Sequence, residues 1–179
     1  EGATPTSDVK ISKAKDSKTG TIITYVPDEA VYGDIFIDED SLKNMLREMS
    51  YFTKGLKIIL IIDGKEQIFF SENGLIDGLK SENAIGKPFS YFYEDEDCKV
   101  ELALQWVTKK GSIKGYANGL YMPDGGAFIS SFKTSLTRTF NNLAKTKFVG
   151  EQIRDCLEGF VSVKVHVGQF SNQAKTALA

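Results

Sequence analysis

The sequence predicts an α+β fold: a mostly antiparallel sheet with helices packed on one face and one βαβ crossover. Three observations carry this. Strands and helices are mixed along the chain, most strands are joined by tight turns, and the final strand follows a long amphipathic helix. The 179 residues are 41% hydrophobic and 26% charged, an ordinary globular balance that argues against wholesale disorder.

The elements follow in order. Residues 9–11 alternate apolar and polar, and 20–26 are rich in β-branched residues and stopped by Pro27-Asp28; together they predict a β-hairpin. Two strands alone are marginal in water, so this hairpin belongs to a sheet with further strands. An acidic run over 34–40 leads into Leu42, Met45, Leu46, Met49 and Phe52, whose spacing marks one helix face closed by Lys54-Gly55. Residues 56–63 and 66–71 read as strands joined at Gly64-Lys65, and 75–79 as a short helix. Strands follow over 89–93, 99–107 and 112–120, the last holding Gly115 and Gly119, a sign of close packing or a bulge. Asp124-Gly125-Gly126 reads as the cap of the longest helix, 127–146, with Phe128, Ile129, Phe132, Leu136, Phe140, Leu143 and Ala144 on its apolar stripe. A short helix over 151–157, a strand over 160–167 and a polar loop turning helical near its end complete the chain.

Composition excludes several functions. A net charge of −2 disfavours a simple nucleic-acid coat, yet residues 127–150 contain no acid and carry Lys133, Arg138, Lys145 and Lys147. Cys98 and Cys156 form no CxxC pair, and the single His166 completes no zinc tetrad; no metal site is expected, and the cysteines read as buried, reduced thiols of a cytoplasmic protein. His166 shares the polar face of its strand with Lys164, which argues against Ser-His-Asp or Cys-His chemistry. No apolar run nears the roughly 20 residues that cross a bilayer, and the N-terminus shows no signal pattern.

Several strings, in one order, resemble a known family. They are Val100 to Trp106 within the alternating strand, Tyr116-Ala117-Asn118-Gly119, Asp124-Gly125-Gly126, Phe132-Lys133-Thr134-Ser135-Leu136-Thr137-Arg138-Thr139-Phe140-Asn141-Asn142, Gly150-Glu151-Gln152-Ile153-Arg154-Asp155-Cys156-Leu157, Phe160-Val161-Ser162-Val163-Lys164-Val165 and Gln169-Phe170-Ser171-Asn172-Gln173-Ala174-Lys175-Thr176. Lys18-Thr19-Gly20-Thr21 and the strand after it match as well. The sequence is similar to the ATPase subunit of bacterial type IIA DNA topoisomerases, the B subunit of DNA gyrase or of topoisomerase IV. It departs from the family at Ala174, where Thr is usual, and at Ala127-Phe128, where Thr-His is common.

The resemblance implies a domain organisation. Residues 1–33 correspond to the C-terminal hairpin of a nucleotide-binding fold and a linker, and 34–179 to the transducer domain that couples ATP to DNA strand passage. It implies ATP and Mg2+ in the full-length enzyme and none bound to this stretch alone, which is expected not to hydrolyse ATP. It implies DNA, the DNA-cleaving A-type subunit and a second B subunit as partners, and no membrane. Lys175 and Gln173 are the candidate catalytic and cofactor-binding residues, because an ammonium and an amide donor suit a terminal phosphate. Thr21 is a candidate nucleotide contact, and Arg138 with Lys133 the candidate DNA contacts. The alternative is a free-standing nucleic-acid-binding α+β module. A small-molecule kinase is disfavoured by the lack of a Gly-rich phosphate loop.

Overall fold

A computed structural model describes residues 7–13, 19–33, 36–166, 168–173 and 175–178. The chain divides into two compact units, Glu1–Ile37 and Asp38–Ala179. The first carries one short helix, α1 (Glu29–Tyr32), capped by the Asp28 carboxylate, which accepts from the Ala30 N–H. Its residues 7–13 and 19–28 form no strand, so the hairpin read from the sequence has no ladder among the described residues; its turn, 14–18, lies outside them. This follows from the marginal stability of two strands without a sheet to join.

The second unit opens with α2 (Glu39–Phe52). The Asp38 carboxylate accepts from the Ser41 N–H at 3.1 Å, and Glu39 and Asp40 fill the first turn, where the helix dipole favours acids. The helix buries Ser50, Tyr51 and Phe52, while Met45 and Met49 of the expected stripe stay exposed. A hairpin follows, β1 (Ile58–Ile62) with β2 (Lys65–Phe69). Its two-residue turn is Asp63-Gly64, one position earlier than expected. Both residues have positive φ, as the favoured hairpin turn requires. A 3-10 turn at Gly74–Gly78 takes the place of the expected short helix.

Five strands build the main sheet: β3 (Ala84–Glu94), β4 (Cys98–Val107), β5 (Ile113–Ala117), β6 (Leu120–Tyr121) and β8 (Leu157–Val165). Their order across it is β3-β4-β8-β5-β6. All neighbours pair antiparallel except β5 and β8, which run parallel, so the expected crossover is present. The stretch expected as one strand, 112–120, is split by the turn Asn118-Gly119, with φ of 50° and 81°. Pro88 sits in edge strand β3 beside a register shift, a place where a missing N–H breaks no inner ladder.

Helices cover both faces of this sheet, not one. On one face Tyr51 and Phe52 of α2 pack with Leu75, Ala103, Tyr116 and Phe160. On the other, Phe128 of α3 (Ala127–Ala144) joins Ala117, Met122, Val163 and Leu178, and Phe140 meets Trp106 edge-on at 5.5 Å. Alternation along β4, β5 and β8 separates the two sets. In β8 buried residues run consecutively from Gly159 to Val163, as in a strand covered on both sides, so Ser162, read from the sequence as part of a polar face, is buried. Gly115 provides the close approach its sequence suggested, since a Cβ there would sit 2.6 Å from Ile129 Cγ1.

At the C-terminal end of α3 the apolar stripe runs off the sheet: Leu143 is 77% exposed, and the helix stops at Ala144 with Lys145 in the left-handed region. The short helix α4 (Gly150–Arg154) precedes β8. Among the described residues the end of the chain forms no helix. Instead β9 (Ala177–Leu178) pairs in parallel with β7 (Gly125–Gly126). Cys98 is half-buried and Cys156 exposed, so the expected burial of the thiols does not hold; both are free. Among the described residues no helix is long and apolar enough to cross a membrane.

Candidate functional site

The predicted site residues fall at two places in the second unit and one in the first. Thr21 lies in the first unit, exposed and outside any helix or strand.

Gln173 and Lys175 occupy the loop between β8 and β9. The loop is tied by its own side chains: Asn172 Nδ2 donates to Thr176 Oγ1 at 2.8 Å, and the Thr176 N–H donates back to Asn172 Oδ1 at 3.2 Å. Lys175 has a φ of 56°, and its N–H donates to the Asn172 carbonyl, so the backbone turns sharply at the cation. The Lys175 ammonium stands 5.3 Å from the centroid of the Phe170 ring, a cation–π distance. Gln173 is exposed. An exposed amide donor and a cation stand two positions apart on this loop.

This loop is clasped to the start of α3. The Asp124 N–H donates to the Thr176 carbonyl at 3.1 Å, and the pairs Gly125–Ala177 and Gly126–Leu178 continue the contact. Gly126 has a φ of 123°, and a Cβ there would strike the Leu178 carbonyl oxygen. Asp124-Gly125-Gly126 therefore serves α3 through the backbone: Gly126 takes the cap position and no side chain caps the helix. Sequence reasoning missed this clasp because a two-residue parallel pairing leaves no periodicity. The Gly-Gly pair was its only trace.

Lys133 and Arg138 line one cleft of about 990 Å³ between the polar face of α3 and α4, with Thr137, Asn141, Glu151 and Arg154 among its other walls. The Asn141 side chain fixes the connection between the helices: Oδ1 accepts from the Phe148 N–H at 2.7 Å and Nδ2 donates to the Phe148 carbonyl at 3.2 Å. The structure thus brings Lys133 and Arg138 together, apart from Lys175. At 1.5 Å per residue, Lys133 lies about 10 Å and Arg138 about 18 Å along α3 from the clasped Gly126.

A second charged cluster lies on the opposite face. Glu48 of α2 accepts from Lys114 Nζ and from Tyr116 Oη, each at 2.7 Å. Burial first, and then the bond to Glu48, push the Tyr116 phenol well above its ordinary range. This pair anchors α2 to β5. Asn118 does similar work at the end of β5: its side chain donates to the Val165 carbonyl and accepts from the Val165 N–H, replacing a ladder rung.

This fold is shared with part of the ATPase region of solved gyrase B structures. The 43K ATPase domain of Thermus thermophilus gyrase B, solved in complex with an aminocoumarin, is similar with a TM-score of 0.68 at 27% identity, over 85% of this chain and 45% of that one. The B-subunit of the DNA gyrase from Myxococcus xanthus shares the fold, with a TM-score of 0.78 at 18% identity over 86% of this chain and 48% of that one. A model of the DNA gyrase B family matches residues 56–179, and the chain belongs to that family. The DNA gyrase B protein of Clostridium acetobutylicum is 34% identical over 177 residues, 89% of this chain and 28% of that protein. The DNA gyrase B protein of Synechocystis is 30% identical over 199 residues, 99% of this chain and 18% of that protein. The chain spans less than a third of the length of these two relatives.

Proposed function

We propose that this chain is the transducer region of a type IIA topoisomerase B subunit, coupling ATP binding and hydrolysis to DNA strand passage. Residues 34–179 form the transducer, and residues 1–33 belong with the nucleotide-binding fold. The observation that carries the reading is the clasp: the loop bearing Gln173 and Lys175 is hydrogen-bonded to the first residues of the helix that bears Lys133 and Arg138.

ATP supplies a terminal phosphate that its diphosphate product lacks. Lys175 and Gln173 are the residues of this stretch that hold it, Lys175 by leaving the Phe170 ring, and Thr21 is a further nucleotide contact. A ligand shifts a domain only by its differential affinity for two arrangements, and Lys175 discriminates between triphosphate and diphosphate by charge. Because packed units transmit displacement, a shift of the loop moves β9, then β7, then α3. Lys133 and Arg138 carry that shift to DNA held against the cleft. Mg2+ accompanies the nucleotide, and the partners are DNA, the A-type subunit and a second B subunit. The free thiols of Cys98 and Cys156 accord with the reducing cytoplasm.

A free-standing nucleic-acid-binding module explains the cleft but leaves the Lys175 loop and its clasp without a task. The test is DNA-stimulated ATP turnover in the full-length enzyme at low and moderate salt. Arg138→Gln is expected to lower the stimulation, by a factor that shrinks as salt rises, since the contact it removes is itself salt-dependent. Stimulation unchanged at every salt concentration would remove Arg138 from DNA contact.

A further inference from the structure

The β1–β2 hairpin has a face that neither the Lys175 loop nor the α3–α4 cleft uses. β1 reads Ile58-Ile59-Leu60-Ile61-Ile62, apolar at every position, the pattern of a strand covered on both sides. The structure covers one side. On the inner face Phe69 is buried, with the Arg47 guanidinium of α2 5.7 Å from its ring centroid. The outer face, one residue out of phase, carries Ile59 opposite Ile68 and Ile61 opposite Glu66, with Lys57 and Phe70 flanking the strands on the same side. Ile59 is 47% exposed, Ile61 64%, Ile68 49% and Phe70 55%.

Four half-exposed side chains of this size leave on the order of 400 Å² of contiguous apolar surface, the extent at which a patch marks an interaction site. The charges on the face say what covers it. Lys57 and Glu66 are its one cation and one anion, both exposed and neither in an ion pair among the described residues. The register puts them at diagonally opposite corners: Lys57 precedes β1, and Glu66 pairs with Ile61 near its far end. Four strand residues at about 3.4 Å each separate the two levels, too far for the charges to pair within one chain. A face with its cation and anion on a diagonal is complementary to itself about a two-fold axis. Two such faces laid with strands antiparallel and crossed by about 30°, the angle of aligned sheets, bring each lysine onto the other copy's glutamate and stack Ile59 and Ile68 at the centre. A partner of one charge sign would meet repulsion at one of the two corners.

We propose that the outer face of the β1–β2 hairpin docks a second copy of this chain, face to face about a two-fold axis, with Lys57 of each copy against Glu66 of the partner subunit. The proposal does not depend on the nucleotide and DNA readings, because neither the Lys175 loop nor the cleft contains a hairpin residue. Two faces of this size bury about 800 Å² together, below the roughly 1,200 Å² of stable complexes, so the association is weak and reversible.

The test is sedimentation velocity of the 179-residue chain at low salt, where surface charges are least screened. A concentration series from about 10 µM to about 1 mM spans weak association, and a monomer–dimer equilibrium is expected within it. Ile61→Lys is expected to leave the chain monomeric throughout. Lys57→Glu and Glu66→Lys are each expected to weaken the dimer roughly 3–10-fold, since each turns two ion pairs per dimer into repulsion. The two reversals together are expected to restore it. A chain that stays monomeric across the series overturns the proposal. So does a dimer that survives Ile61→Lys, which would lie on another face. Loss of the dimer in Ile61→Lys without rescue by the double reversal overturns the two-fold pairing of Lys57 with Glu66. Lys57 and Glu66 are exposed, so if Ile61→Lys fails to fold, the single and double reversals still decide the matter.

Discussion

Lys175 rests its ammonium on the Phe170 ring at the tip of a loop whose backbone is pinned by Asn172 and Thr176. On the proposed reading this cation meets a terminal phosphate as a point charge, and its effect on rate comes from charge that develops during transfer. In the full-length protein, Lys175→Ala is therefore expected to lower kcat on the order of 10²-fold while nucleotide binding weakens less. Steady-state turnover beside equilibrium binding checks this, and an unchanged kcat removes Lys175 from the mechanism. Asp77 works at the same scale for stability. Its carboxylate accepts from the Asn73 side chain and backbone and from Ser71, and the Asn73 bonds above all hold its pKa below the ordinary value. A depressed carboxylate stabilises the fold above its unfolded pKa near 4, and loses that contribution as pH falls through the folded value. Asp77→Asn is expected to lower Tm at neutral pH and to flatten its fall below about pH 4. Thermal melts across that range decide it, a parallel pair of curves being the contrary result.

At the scale of elements, Gly115 lets α3 approach the sheet, because Ile129 fills the place of its missing side chain. Gly115→Ala overpacks that contact and is expected to cost about 1–3 kcal/mol, read from chemical denaturation. Loss below about 0.5 kcal/mol, the ordinary range of a surface change, would mean that α3 is free to shift. Much of this layer was legible in the sequence. Alternation marked β4, the acid-free polar stripe marked the cleft side of α3, and the crossover followed from strand, long helix, strand. What was not legible has physical causes. Met45 and Met49 share a helical spacing with Phe52, yet α2 meets the sheet through its last turn, and periodicity alone does not say where a helix is covered. Leu143 continues the α3 stripe past the edge of the sheet. Arg154 reaches the cleft only because α4 folds back along α3, a tertiary contact absent from any local pattern. The β7–β9 clasp is two residues long and joins positions some fifty apart in the chain.

At the scale of the whole second unit, two sites share one helix. The clasp grips α3 at Gly126, and the cations stand about 10 and 18 Å down its axis. A packed helix moves as a body, so a small displacement at its start reaches the cleft undiminished in a way that a flexible strap would not permit. On the proposed reading, coupling is a free energy between two sites, bounded by the difference in affinity that Lys175 would make between nucleotide states. It therefore has to weaken when the clasp is opened, even with every charged residue in place. Gly126→Ala does this most directly: its Cβ would strike the Leu178 carbonyl oxygen, and its φ of 123° disfavours any side chain. The decisive measurement is the ratio of DNA-stimulated to basal ATP turnover in the full-length Gly126→Ala enzyme, with far-UV circular dichroism confirming the fold. Transmission through the clasp predicts a ratio that falls toward one while basal turnover persists; a folded variant with the wild-type ratio at every salt concentration would contradict it.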